Sequence, residues 1–206
     1  MSPTRIAILL SGGGRTMLNI GEEIAAGRLN ASIALVISSR EDLKGVDRAR
    51  EMGIDVAVIR RKDLSSLELF SSAIEQKLTE YDIDLVVQAG WLCLWNIPHC
   101  YENRVLNIHP SLLPSFGGKG MWGHHVHEAV LARGCKVSGC TVHFCTNEYD
   151  DGPIILQRTC PAYSTDTPDE LAARVFEQEC LAYPEAIRLF CRGALRVENG
   201  IVHIDE

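Results

Sequence analysis

Arg5-Ile6-Ala7-Ile8-Leu9-Leu10-Ser11-Gly12-Gly13-Gly14-Arg15-Thr16 is the stretch that decides the fold. Ile6 to Leu10 is an unbroken apolar run without the alternation of a half-exposed strand, so it reads as a strand covered on both faces. A glycine turn follows, and then helix-period sequence from about Thr16 to Ala26. Strand, tight turn and helix in that order are the opening unit of a doubly wound, mostly parallel α/β sheet. Glycine reaches positive φ and lets the backbone approach a ligand closely. The free N–H groups of a helix start, with the helix dipole, favour an anion. Gly13, Gly14, Arg15 and Thr16 are therefore candidate phosphate-binding residues, with Arg15 able to add a charge-assisted bond. Met17 stands where the dinucleotide fingerprint needs its last glycine, and no Gly-Lys-Ser/Thr follows, so neither common nucleotide motif is met. A plain strand-to-helix turn is the competing reading.

The same pattern continues on the C-terminal side. Strands are expected at Ser32–Ser38, Asp55–Ile59, Asp84–Ala89 and Arg104–Ile108, with helices at Asp42–Met52 and Ser65–Glu80 between them. The second half differs. Ser111–Gly123 is a Gly/Ser/Pro-rich loop, Val126–Arg133 a helix, and Ser138–Cys145 and Gly152–Thr159 a strand pair around an acidic loop. Thr167 with Pro168, Asp169 and Glu170 starts a helix that runs to about Cys191. Leu195–Val197 and Ile201–His203 form a hairpin about Asn199-Gly200, giving an antiparallel C-terminal part. We read residues 1–206 as a single domain, with a phosphate-binding half to about residue 105 and a catalytic half beyond it.

Composition excludes several classes. A formal charge of −7 lacks the basic footprint of a nucleic-acid or membrane-surface binder. No apolar run spans a bilayer, and the first residues lack a signal-peptide pattern, so a cytoplasmic location is expected. Eight scattered cysteines without a CxxC pair read as reduced, mostly buried thiols. His124, His125 and His127 invite a metal reading, but no fixed ligand shell surrounds them; they read as solvated histidines at a helix start, and no metal is expected.

Val105-Leu106-Asn107-Ile108-His109-Pro110 ends an expected central strand, and open α/β sheets bind ligands beyond the carboxyl ends of their strands. Residues two apart share a face, so Asn107 and His109 project together if the strand persists. An amide donor beside an imidazole suits oxyanion stabilisation and proton exchange. A carboxylate in Thr146-Asn147-Glu148-Tyr149-Asp150-Asp151 can orient His109 and favour its charged form. A polar strand cap and a solvated acidic turn are the plain alternatives.

Asn107-Ile108-His109-Pro110-Ser111-Leu112-Leu113-Pro114 resembles the signature of the folate-dependent formyltransferases. Thr141-Val142-His143-Phe144 with Tyr149-Asp150-Asp151-Gly152-Pro153-Ile154-Ile155 resembles their second motif, and the likeness spans roughly residues 5–195. It implies a Rossmann-like formyltransferase fold and a catalytic Asn107, His109 and Asp150. Asn107 and protonated His109 would stabilise the oxyanion as an amine attacks the formyl carbon, and Asp150 would assist proton transfer. The donor would be 10-formyltetrahydrofolate as co-substrate, without a metal. The glycine turn, the chain length and the last helix point, by that resemblance, to 5'-phosphoribosylglycinamide as acceptor. Its phosphate would lie on Gly13 to Thr16 and its ribose on Glu179. Folate would meet Leu92, Cys93, Leu94, Trp95, Asn107 and the segment Thr146, Asn147, Glu148, Tyr149 and Asp150, with His143 and Ser111 in support. The chain departs from the usual family residues at Arg15-Thr16, Cys93, Asp151 and Cys180. Small molecules are the only partners implied, in a monomer or homodimer. The alternatives are transfer to another phosphorylated or nucleotide-sugar amine, or a noncatalytic nucleotide-binding module.

Overall fold

A computed structural model describes residues 2–205. The chain forms two compact units, one ending at Leu106 and one beginning at Asn107. In the first, β1 (Thr4–Leu10) is followed by α1 (Arg15–Ala25), β2 (Ala31–Ser38), α2 (Lys44–Glu51), β3 (Val56–Val58), α3 (Leu67–Glu80) and β4 (Leu85–Gln88). Next come β5 (Val105–His109), α4 (His124–Ala132), β6 (Val137–Phe144), β7 (Ile154–Pro161), α5 (Pro168–Cys191), β8 (Leu195–Glu198) and β9 (Ile201–Ile204). The strand order is β3-β2-β1-β4-β5-β6-β7 in a seven-stranded sheet, with β8-β9 a separate pair.

β1 explains why the first unit folds around it. It pairs in parallel with β2 on one side and β4 on the other, so Ile8 lies between Val36 and Val87. Ile6 to Leu10 are fully buried, as the continuous apolar run requires. Each such large side chain contributes about 1.5–3 kcal/mol of hydrophobic stabilisation, an upper figure against an extended unfolded chain. β6 and β7 pair antiparallel, and buried Leu171, Val175, Tyr183 and Ile187 mark the core stripe of α5. α5 starts at a full capping box: the Thr167 side chain accepts from the Glu170 N–H, and the Glu170 carboxylate accepts from the Thr167 N–H at 2.7 Å.

Most expected elements stand where the pattern puts them, and the expected α5 start and end coincide with the structure. Three readings need correction. Short 3-10 turns at Arg61–Asp63 and His99–Tyr101 were not expected; three residues carry no readable period. Only Cys140 and Cys160 of the eight cysteines are buried. Cys100 is exposed and the other five are half-buried, because several fall in connecting segments, which run over the surface. α4 begins at His124 rather than Val126, and His127 is buried rather than solvated.

Candidate active site

β5 persists through His109, so Asn107 and His109 emerge on one face at its carboxyl end. The residues that follow fold back at Leu112–Phe116, held by a small polar lattice. The Thr141 hydroxyl donates to the Ser111 carbonyl at 2.7 Å and accepts from the Leu113 N–H at 3.0 Å. Gln157 donates to both the Leu113 carbonyl and Thr141, and Ser111 donates to the Ser115 carbonyl at 2.6 Å. Ser111 thus supports the turn; Thr141 stood in the second motif without an assigned role and Gln157 was missed, because strand positions alone do not announce a loop partner.

This lattice delivers the Phe116 carbonyl to 2.8 Å from His109 Nε2. On the other side of the ring, His109 Nδ1 lies 3.4 Å from Asp150 Oδ2, with both side chains largely buried. Both ring nitrogens therefore face acceptors, and the imidazolium is the form that donates to both. Asp150 also accepts from the Gly118 N–H at 2.9 Å and, through Oδ1, from Asn107 Nδ2 at 3.4 Å. Burial pushes the Asp150 carboxyl up, but the hydrogen bond and charge of His109, the Gly118 N–H and His143 outweigh it and hold the carboxyl below its usual value. Asp151, the neighbouring candidate, is exposed and acts on the cluster through its charge on His143. The structure therefore brings Asn107, His109, Asp150 and His143 together.

The backbone around the cluster is specialised. Phe116 and Asp150 both sit at φ 55, in the left-handed region. That conformation costs on the order of 1 kcal/mol for a residue with a side chain and persists where surrounding bonds determine it. Gly152 lies so close to Phe144 that a Cβ there would fall 1.7 Å from the Phe144 carbonyl oxygen, so the acidic loop can join β7 at this point only through glycine. Thr146, Asn147, Glu148 and Tyr149 are exposed along the loop, and half-buried Glu179 lies on α5. A groove of 540 Å³ runs between Thr146, Asp151–Ile154 and the β8–β9 turn at Gly200–Val202.

In the first unit, the glycine turn is built from two helices. Gly14 is the N-cap of α1 at φ 75, without a side-chain cap. Gly45 of α2 packs against it: a Cβ on Gly45 would meet the Gly12 carbonyl oxygen at 2.7 Å. This approach lets Arg48, one turn along α2, donate to the Gly13 carbonyl at 2.6 Å. Arg48 was not singled out in the sequence; its only signal is its spacing from Gly45. The segment after β4 lies beside the same turn. The Leu92 N–H donates to Ser11 Oγ at 3.1 Å, and the Ser11 N–H donates to the Gly90 carbonyl. Leu92 is exposed, Cys93 and Leu94 are half-buried, and Trp95 is a core side chain. Burial raises the Cys93 thiol against the opposing charge of Arg61.

Of the three histidines near α4, His124 and His125 are exposed and lie near Asp169 and Glu128 respectively. His127 is buried, and burial, followed by the charges of His124 and His109, pushes it down to about 4. Among the described residues no helix is long and apolar enough to cross a membrane.

The family described as formyl transferase matches residues 4–187. A chloroplastic phosphoribosylglycinamide formyltransferase of Arabidopsis thaliana is 38% identical over 201 residues, covering 96% of this chain and 69% of its own length. Phosphoribosylglycinamide formyltransferase of Haemophilus influenzae is 34% identical over 203 residues, covering 98% and 93%. The crystal structure of glycinamide ribonucleotide transformylase 1 from Symbiobacterium toebii is 40% identical, with a TM-score of 0.93 over 100% of this chain and 95% of that one.

Proposed function

This chain belongs to the formyl transferase family, and from that membership we propose that it transfers the formyl group of 10-formyltetrahydrofolate to the amine of 5'-phosphoribosylglycinamide, a step of de novo purine synthesis that releases tetrahydrofolate. The observation that carries the reading is the hydrogen-bonded cluster of Asn107, His109 and Asp150 at the end of β5. The neutral substrate amine attacks the formyl carbon, and the carbonyl electrons move onto oxygen. Asn107 and the His109 imidazolium donate to that oxyanion, with His109 exchanging its bond to the Phe116 carbonyl for one to substrate. Asp150 takes the amine proton through water. As the tetrahedral carbon collapses, that proton returns from Asp150 through water to the folate nitrogen, which leaves as tetrahydrofolate and gives the N-formyl product.

Gly13, Gly14, Arg15 and Thr16 receive the phosphate, and Glu179 the ribose. Leu92, Cys93, Leu94, Trp95 and the backbone of Thr146–Asp150 receive the pterin; for buried Trp95 that contact is through the backbone. The protein acts in the cytoplasm as a monomer or homodimer within a single functional domain.

A spectrophotometric assay with 10-formyltetrahydrofolate and glycinamide ribonucleotide, each omitted in turn, tests the proposal. Folate deformylation that requires the ribonucleotide is expected. Formate release without an amine, or turnover only with a different phosphorylated amine, would overturn it.

A further inference from the structure

His143 is buried on β6, and its neighbours admit one neutral form of its ring. Nδ1 lies 2.8 Å from the Phe144 carbonyl oxygen, which only accepts, so Nδ1 carries the hydrogen. Nε2 lies 3.2 Å from Asn107 Nδ2, which only donates, so Nε2 presents its lone pair. That lone pair decides which end of the Asn107 amide faces inward; a reversed amide would set oxygen against it. The second Nδ2 hydrogen goes to Asp150 Oδ1 over the longer 3.4 Å, and it is the one a substrate oxygen can take over.

We propose that His143 is a positioning residue for Asn107: its Nε2 lone pair holds the amide nitrogen toward the reacting centre, and a proton on that ring reverses the amide and stops transfer. The kinetic part rests on the formyl-transfer reading; the tautomer and amide part does not. A protonated Nε2 is a donor facing a donor, and Asp150 Oδ1, 3.8 Å away, is the acceptor it would turn to. Burial keeps the ring neutral, lowering its proton affinity. The Phe144 carbonyl, Asp150 and Asp151 pull the other way, and His109 across from β5 adds to the lowering. Asn107 is thus held in donor orientation by a neutral base that contributes no proton of its own.

Nitrogen-15 NMR of protein labelled at both histidine and asparagine, without substrate, tests the first part. We expect the neutral Nδ1–H tautomer for His143 at pH 7, with the Asn107 side-chain amide resonances shifting together with the ring as it is acidified. An Nε2–H tautomer or an imidazolium at pH 7 overturns the proposal. In kinetics, His143→Leu should lower kcat at least about tenfold while both KM values stay within about threefold, because the lost alignment acts on the transition state. His143→Gln, which can accept through Oε1 and cannot titrate, should recover most of kcat and lose the part of the acid-side decline that His143 causes. Wild-type kcat in the leucine variant, or no rescue by a folded glutamine variant, overturns the positioning role. If the wild-type protein transfers nothing to the ribonucleotide, the functional reading has failed, and the NMR outcome still decides the tautomer and the amide.

Discussion

In the proposed reaction Asp150 accepts a proton, and its environment suits that role. Asp150 is kept ionised against its own burial by His109 and the Gly118 N–H, so it stays an acceptor at neutral pH. His109→Ala and Asp150→Ala should each fold, as judged by circular dichroism, and lose about 10²–10³ in kcat, the usual cost of removing such a group. Near-wild-type turnover in either would remove that residue from the mechanism. His127 allows a separate prediction. Its proton affinity falls from an ordinary value to about 4 in the folded protein, so between pH 6.5 and that value the unfolded chain binds the extra proton. Stability should therefore decline as pH falls through this window, by up to about 1.4 kcal/mol per pH unit for this group. Urea unfolding of the wild type and of His127→Gln across the range should show a shallower decline in the variant; parallel curves would contradict it. Asn107 and His109 were legible because they stand two apart on a strand, and Asp150 through its motif. The Phe116 carbonyl and the Gly118 N–H were not, since backbone groups have no letter of their own.

Two elements depend on local chemistry that can be removed one atom at a time. The capping box of α5 rests on Thr167, so Thr167→Ala should cost about 1 kcal/mol in chemical denaturation without changing kcat. Gly45 is the close contact between α2 and the glycine turn, and Gly45→Ala places a methyl 2.7 Å from the Gly12 carbonyl oxygen and 3.0 Å from Leu10. Overpacking of this kind costs about 1–3 kcal/mol. Because it presses on the turn itself, it should also raise KM for the ribonucleotide more than KM for the folate. Equal changes in both would separate the turn from phosphate recognition. The parallel strands of the first unit could be read in advance because continuous apolar runs such as Ile6–Leu10 tolerate one explanation. The start of α4 shifted because Gly123-His124-His125 carries neither a standard cap nor an apolar period, and contacts made in the fold set that boundary.

The whole chain is acidic, at −7, while the proposed acceptor and the tail of the donor are anions. Backbone N–H groups and a few placed side chains, rather than the overall field, must hold them. kcat/KM should therefore stay level or rise as salt is added from low ionic strength, since screening relieves long-range repulsion. A steep fall would mean that a strong local cationic field governs encounter. The three tryptophans offer a further use of the structure. Trp91 and Trp95 are buried in the first unit, whereas Trp122 is half-exposed and meets the His125 ring edge-on at 4.8 Å. The protein thus carries its own optical probe: acrylamide should quench mainly the Trp122 emission. Ligand-induced changes in this one signal would report on the segment whose Phe116 and Gly118 backbone groups meet His109 and Asp150, without any label being introduced.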